Sequence, residues 1–192
     1  MLSLACSLSA LGQEGGTTPA TTAMKTVAEQ VEGDWVDGRW NQADVGPFMS
    51  ADIHTPQGRT LKGIAIKVGG TAQATVCFNT ELLGYSAAWA DGFLEFDPRR
   101  YGLIGGPKPK GRTLFANDIT PGWMHDGKLD DPRTRKLGPL PRSRAKYRGL
   151  YRHGKRVALS YTVGETTVLD EPWAGDADGR LLLTRTLEFG QA

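Results

Sequence analysis

Hydrophobic and polar positions alternate with period two along most of the chain from Phe48 onward, most clearly from Tyr147 to Asp170, YRGLYRHGKRVALSYTVGETTVLD. Val157, Leu159, Tyr161 and Val163 share one parity, and Ala158, Ser160 and Thr162 the other, the pattern of a strand with two unlike faces. Turns at His153-Gly154 and Gly164-Glu165 divide the stretch into three strands, since glycine closes a hairpin at positive φ without steric cost. Such a meander is marginal alone and needs a sheet or second layer over its apolar face.

The same alternation predicts strands over MSADIHT and LKGIAIKVG, separated by a Pro56-Gln57-Gly58 turn. In the second, Leu61, Gly63 and Ala65 lie on one face and Ile64, Ile66 and Val68 on the other. ATVCFNT reads as a buried strand from its β-branched and aromatic content. LLGYSAAWADGFLEFD reads as a hairpin hinged on Asp91-Gly92, with Trp89, Phe93 and Phe96 as core bulk. TLFAN and RLLLTRTLEFG are further strands, and the stretches 171–173 and 175–179 read as a loop before the last of them. Between residues 118 and 145, four prolines interrupt any pattern, and a loop of that length in a compact domain is functional or disordered. Eight to ten short strands with no βαβ alternation predict an all-β fold, an antiparallel, jelly-roll-like β-sandwich with long irregular loops and little helix.

Composition narrows the picture. Gly 25 and Pro 11 in 192 residues, with 39% hydrophobic residues, favour turns over long helices. The net charge of +2 creates no global field toward nucleic acid or anionic lipid, and the basic run from Arg133 to Arg156 reads as solvated surface. No run approaches the roughly 20 apolar residues of a membrane span. Residues 1–14 read as a signal-peptide-like leader without its basic start, since the first cation is Lys25, so an exported (periplasmic or extracellular) location is expected. Residues 15–33 read as a linker with a short candidate helix at Met24–Gln30 capped by Thr22. Residues 34–192 then form a single domain, cut from a longer protein, with Trp35 and Trp40 on a segment wrapped against its edge.

The chemistry-bearing residues are sparse. Cys77 lies in an apolar run and reads as a buried, inert thiol, and with Cys6 in the leader no internal disulfide is expected. No Cys/His spacing suits zinc and no C-x-x-C-H suits haem, so neither metal nor cofactor is expected in this chain. Gly105-Gly106-Pro107 lacks the G-K-[ST] ending of a phosphate cradle. The long loop is the richest stretch, and Trp123, His125 and Asp126 on it, with Trp89 and Trp173 behind them, are the candidate ligand-binding residues: a ring stacks on a sugar face while neighbouring polar groups bond its hydroxyls. A carbohydrate-active hydrolase or lyase is the alternative, drawing two carboxyl groups from Asp52, Asp126, Asp130 and Glu171, with His54 or His125 as acid or base. A metal variant would use His54, Asp52, His125 and Asp126.

Seven segments together carry a family resemblance: GPFMSADIHTP (46–56), LKGIAIKVG (61–69), VCFNTELLGYSAAW (76–89), GFLEFD (92–97), DDPR (130–133), GPLPRSRAKYRGLYRHGKRVALSYTVG (138–164) and VLDEPW (168–173). As a set they resemble an uncharacterised N-terminal domain of large secreted proteins from planctomycetes and verrucomicrobia. That domain is often followed by modules that include c-type haem-binding cytochromes, and some relatives sit among carbohydrate-degradation machinery. The resemblance transfers no reaction and no catalytic residue. It implies a non-catalytic module of an exported multidomain protein, binding carbohydrate or docking a downstream, haem-binding domain; the balanced charge separately argues for no nucleic-acid partner.

Overall fold

The computed structural model describes residues 36, 38–71, 73–102 and 104–190. The expected leader, linker and helix over 1–33, together with Cys6 and Trp35, lie outside the described residues. Among the described residues the structure is mostly antiparallel β-sheet, with one four-residue helix, α1 (Arg39–Gln42), and a 3-10 turn at Arg99–Gly102. The strands are β1 (Phe48–Thr55), β2 (Gly58–Val68), β3 (Ala74–Asn79), β4 (Gly84–Ala90), β5 (Leu94–Glu95), β6 (Lys108–Pro109), β7 (Arg112–Ala116), β8 (Ala145–His153), β9 (Arg156–Val163), β10 (Thr166–Ala177) and β11 (Arg180–Phe189). No described helix is long and apolar enough to cross a membrane.

Strands β1-β2-β3-β4-β7 form a five-stranded sheet, β11-β10-β9-β8 a four-stranded one, and β5-β6 a separate pair. Each large sheet is a meander built from one continuous portion of the chain. The jelly-roll-like order expected from the sequence requires strands of the two sheets to interleave along the chain, whereas here residues 48–116 supply all of one sheet and residues 145–189 all of the other. The stretch from Tyr147 to Asp170 folds as read: β8, β9 and the first part of β10 pair in sequence, with Gly154 at φ 59 and Gly164 at φ 58 in the two turns.

Ile64, Ile66 and Val68 of β2 and Val76 and Phe78 of β3 share one buried cluster with Val157, Leu159 and Tyr161 of β9 and Val168 and Ala174 of β10. Phe78 is its hinge: fully buried, its ring stacks on Tyr161 at 5.7 Å and meets Tyr85 edge-on at 5.2 Å. The other face of the five-stranded sheet is also covered. Ala65, Cys77, Ala87 and Trp89 point there, beneath Leu94 and Phe96 of the β5 segment. This double coverage explains why β3 is buried at every position, where alternation would predict one wet face. Asn41 fastens the α1 segment to that cover, donating to the Phe96 carbonyl and accepting from the Phe96 amide, both at 2.8 Å.

Three expectations are corrected. Asp91-Gly92 is a turn, but β4 and β5 do not pair: β7 occupies the edge of β4, and β5 pairs with β6. Asp91 sits at φ 67, and a side chain on Gly92 would meet the Lys110 carbonyl oxygen at 2.2 Å, so the turn throws the chain out of the sheet against Lys110. Second, residues 171–177 are strand, not loop, with only Asp178-Gly179 turning. Pro172 is tolerated because β9 pairs with β10 only as far as Asp170, so the amide hydrogen that proline lacks has no partner to miss. Third, Arg133 is not solvated surface; its side chain is 7% exposed.

Cys77 is fully buried, and burial pushes its thiol up to about 11 from an ordinary 9.0, against smaller lowering effects of Ser86 and Thr60. The folded state thus holds this proton where the unfolded chain releases it, so stability should be unaffected below pH 9 and fall as pH rises toward 11. In a Cys6→Ser background, iodoacetamide should label Cys77 only at the rate of unfolding, and a Cys77→Ala variant should lose part of the alkaline decline in urea melts. Rapid labelling of the folded protein would contradict this burial.

Candidate ligand-binding cleft

Strand β10 directs Val168, Asp170, Pro172 and Ala174 inward. Asp170 is therefore a carboxylate with no exposed surface in an apolar layer, and it survives there through its partners. Arg185 of β11 donates from Nε to its Oδ1 at 2.9 Å and from Nη2 to its Oδ2 at 2.7 Å. The Tyr161 hydroxyl donates to Oδ2 at 2.8 Å and the Tyr85 hydroxyl to Oδ1 at 3.1 Å. Arg185 Nη2 also donates to the Tyr161 oxygen at 2.9 Å. Four strands of two sheets thus meet on one carboxylate. Burial, then the charge of Asp170, raises Tyr85 well above the ordinary tyrosine range, and burial and Asp170 likewise raise Tyr161. For Arg185, burial works toward a lower value but the hydrogen bond and charge of Asp170 outweigh it, so it stays ionised. Its guanidinium carbon lies 5.2 Å from the Tyr85 ring centroid and 5.5 Å from that of Trp123.

Arg185 retains 35% side-chain exposure and borders a cleft of about 430 Å³ with Asn79, Tyr85, Asn117, Asp118 and Thr120. The segment between β7 and β8 forms its other wall. It is held by side chains and backbone rather than by regular structure: Gly122 N donates to Leu82 O at 2.8 Å and Leu140 N to Glu81 O at 3.0 Å. Gly84 and Gly122 permit this approach, since a side-chain carbon on Gly122 would meet the Leu83 carbonyl oxygen at 2.1 Å. Arg133 grips Asp131 through Nε at 2.9 Å and Nη2 at 2.8 Å, donates to the Gly138 carbonyl, and lies 3.9 Å from Glu81. The Arg133 hydrogen bond holds Asp131 below the usual carboxylate range, against its partial burial. Pro121 and Leu129 complete the cleft lining.

The residues singled out in the sequence are placed as follows. Trp123 is half-buried and leans on the core, 6.0 Å from Tyr161 and 6.2 Å from Phe189, so its ring supports Arg185 from behind. His125 pairs with Lys128 in an exposed bridge that closes the two-residue turn Asp126-Gly127, with His125 Nε2 3.5 Å from Asp126 Oδ2. Trp89 is fully buried beneath the β5 segment and donates from Nε1 to Phe93 O, so the structure does not bring it to the same place. Trp173 lies under the Arg156 guanidinium at 4.1 Å. Asp52 is paired with Arg59 and Glu171 with Arg156. Asp126 and Asp130 are exposed, and none of these four carboxylates lines the cleft beside Arg185. His54 borders a different cleft, of about 480 Å³, with Glu95, Asp97, Arg99 and Gly106, and its Nε2 is buried without a partner among the described residues. Among the described residues no three His, Cys, Asp or Glu side chains are grouped to hold a metal.

Residues 76–170 match the model of a family described as a domain of unknown function, DUF6797. No curated protein and no solved structure matches the chain. The stretch similar to that family runs from β3 into β10 and carries the whole long segment with Tyr85, Tyr161 and Asp170, while Arg185 lies beyond it.

Asp170, Arg185 and Tyr85 were missed in the sequence. The available signal was parity: Asp170 shares a face with Val168, and Arg185 with Leu183 and Leu187, so opposite charges fall on core-facing positions of neighbouring strands. Removing one member leaves the other charge or the tyrosine hydroxyls unpaired, so Asp170→Ala should lower the unfolding free energy by about 3 kcal/mol. The double variant Asp170→Leu/Arg185→Met should recover most of that loss in the same urea titration; equal losses in both would show that the network's charges do not matter to the fold.

Proposed function

We propose that this chain is a non-catalytic β-sandwich module of an exported multidomain protein that binds carbohydrate in the cleft between Arg185 and the long segment. The two sheets sharing one apolar cluster support the sandwich description. The observation that carries the binding reading is the Arg185 guanidinium: Nε and Nη2 are committed to Asp170 and Tyr161, which leaves the Nη1 edge of a preorganised cation for a ligand in the cleft. Asn117 donates from Nδ2 to the Tyr85 carbonyl at 2.9 Å, which fixes its amide at the cleft wall. With Asp118 and Thr120 alongside, the set of donors and acceptors suits sugar hydroxyls, and Arg185 suits a ring oxygen or a uronate carboxylate.

A second reading, docking of a downstream haem-binding domain, is favoured by Met124 and Leu137, which stand 64% and 65% exposed on the same long segment. The two readings separate by mutation. Asp118→Ala and Thr120→Ala should each weaken retention on an array of neutral and uronate-containing oligosaccharides by about tenfold while leaving the melting temperature unchanged. Met124→Ser/Leu137→Ser should leave that retention intact and abolish only the docking. Absence of any glycan retention by the wild-type chain would refute the first reading.

A further inference from the structure

The four edges of the two large sheets differ in how they are protected. The β1 edge carries a register break between Ala51 and Ile53, and its His54 amide is taken by the Pro107 carbonyl at 2.9 Å. The β7 edge is five residues long and its pairing is broken opposite Ala88 and Trp89. The β8 edge is broken between Tyr147 and Gly149 and carries Lys146, Arg148 and Arg152. Breaks, brevity and clustered like charge are the usual devices that stop an edge strand from recruiting another chain. The β11 edge has none of them. It runs ten residues without Pro or Gly, in unbroken register with β10 from Arg180 to Phe189, and exposes Leu182 by 49% and Phe189 by 56%.

We propose that β11 is an interaction edge whose partner is the β11 of a second copy of this chain, paired antiparallel about a two-fold axis at Thr184. Because side chains alternate, only registers that pair positions of equal parity keep the buried and wet faces of the two sheets continuous. Among these, the register centred on Thr184 places Arg180 opposite Glu188 of the second copy, and Glu188 opposite its Arg180, both on the exposed face. On the core-facing side Leu181 comes opposite Leu187 and Leu183 opposite Arg185, while Leu182 meets Thr186. Sliding by two residues either way loses both charge pairs: one slide keeps Leu183 opposite Leu187 but sets Arg185 against Arg185, and the other leaves Leu183 opposite Leu183 with Arg180 facing Thr186. Cross-strand opposite charges stabilise a ladder and like charges destabilise it, so it is the charge pattern of β11 that makes it complementary to itself in the register centred on Thr184. The result is one eight-stranded sheet running through two copies.

The test is a charge swap read by sedimentation. The full chain should sediment as a dimer at about 100 μM, and Glu188→Arg, which sets Arg against Arg at both ends of the ladder, should weaken the dimer by about tenfold or more. Arg180→Glu alone should do the same, and the Arg180→Glu/Glu188→Arg double variant should restore dimerisation. All three leave the exposed face of a monomer otherwise unchanged, so their melting temperatures extrapolated to low concentration should agree. Independently, Thr184→Cys in a Cys6→Ser background should yield a disulfide-linked dimer on mild oxidation, since residue 184 faces itself across the axis. A wild-type chain that is monomeric throughout, a dimer indifferent to Glu188→Arg, or a double variant that fails to recover would each overturn the proposal.

Discussion

A carboxylate removed from water must be answered from every direction, and in this molecule the answers come from three other strands. Asp170 of β10 is met by Arg185 of β11, Tyr161 of β9 and Tyr85 of β4, the last from the opposite sheet. Apolar packing is tolerant of small slides, because any well-filled arrangement removes about the same area from water. Directional bonds to one buried charge are not. The network therefore fixes how the sheets are set against each other at this level of the core, and the Phe78–Tyr161 stack lies directly beside it. The same network presents Arg185 to the cleft in one orientation, so the groups that fix the fold also shape the candidate binding site.

The wall of that cleft depends on a second buried ion group. A long segment without strands pays a large conformational entropy cost to become ordered, and a few surface contacts would not offset it. Arg133 offsets it by acting as the segment's own core, gathering Asp131, the Gly138 carbonyl and Glu81 in a space closed to solvent. Leu140 adds an apolar anchor beside it. The two arginines do related work: Arg185 ties strands to one another, and Arg133 ties an irregular segment to the strands.

What was legible in the sequence was whatever two-residue periodicity and turn chemistry encode locally. The β8–β9–β10 meander and its glycine turns were readable, as were the two faces of β2 and the irregular run of 118–145, whose last residue opens β8. Partner choice was not. Asp91-Gly92 has the local form of a hairpin turn, yet β4 takes β7 as its neighbour, because pairing is decided by segments some twenty residues further on. Pro172 and the glycines around it mimic a loop, and only the stop of the β9–β10 ladder at Asp170 makes that proline harmless in a strand. Arg133 and Asp170 were hidden for a related reason: a charged residue looks solvated until distant parts of the chain, Glu81 and the Leu140 anchor for Arg133 and Arg185 for Asp170, close over it. Trp123 stands behind Arg185 and His125 and Asp126 are exposed on the long segment, whereas the side chains at the floor of the candidate cleft come from β4 and β11.

The unequal covering of the two sheets has a dynamic consequence. β3 is enclosed by the second sheet on one side and the β5 segment on the other, and it has a bonded neighbour along both edges. The four-stranded sheet keeps one face in water, where Ser160, Thr162, Thr184 and Thr186 contribute little apolar burial. Free energies of local opening follow burial and bonding, so amide hydrogens should exchange with solvent more slowly in β3, where exchange waits for the whole domain to open, than in the four-stranded sheet. The covered sheet is thus the part that remembers the fold, and the bare face is the part that can change its side chains, or its company, without disturbing it.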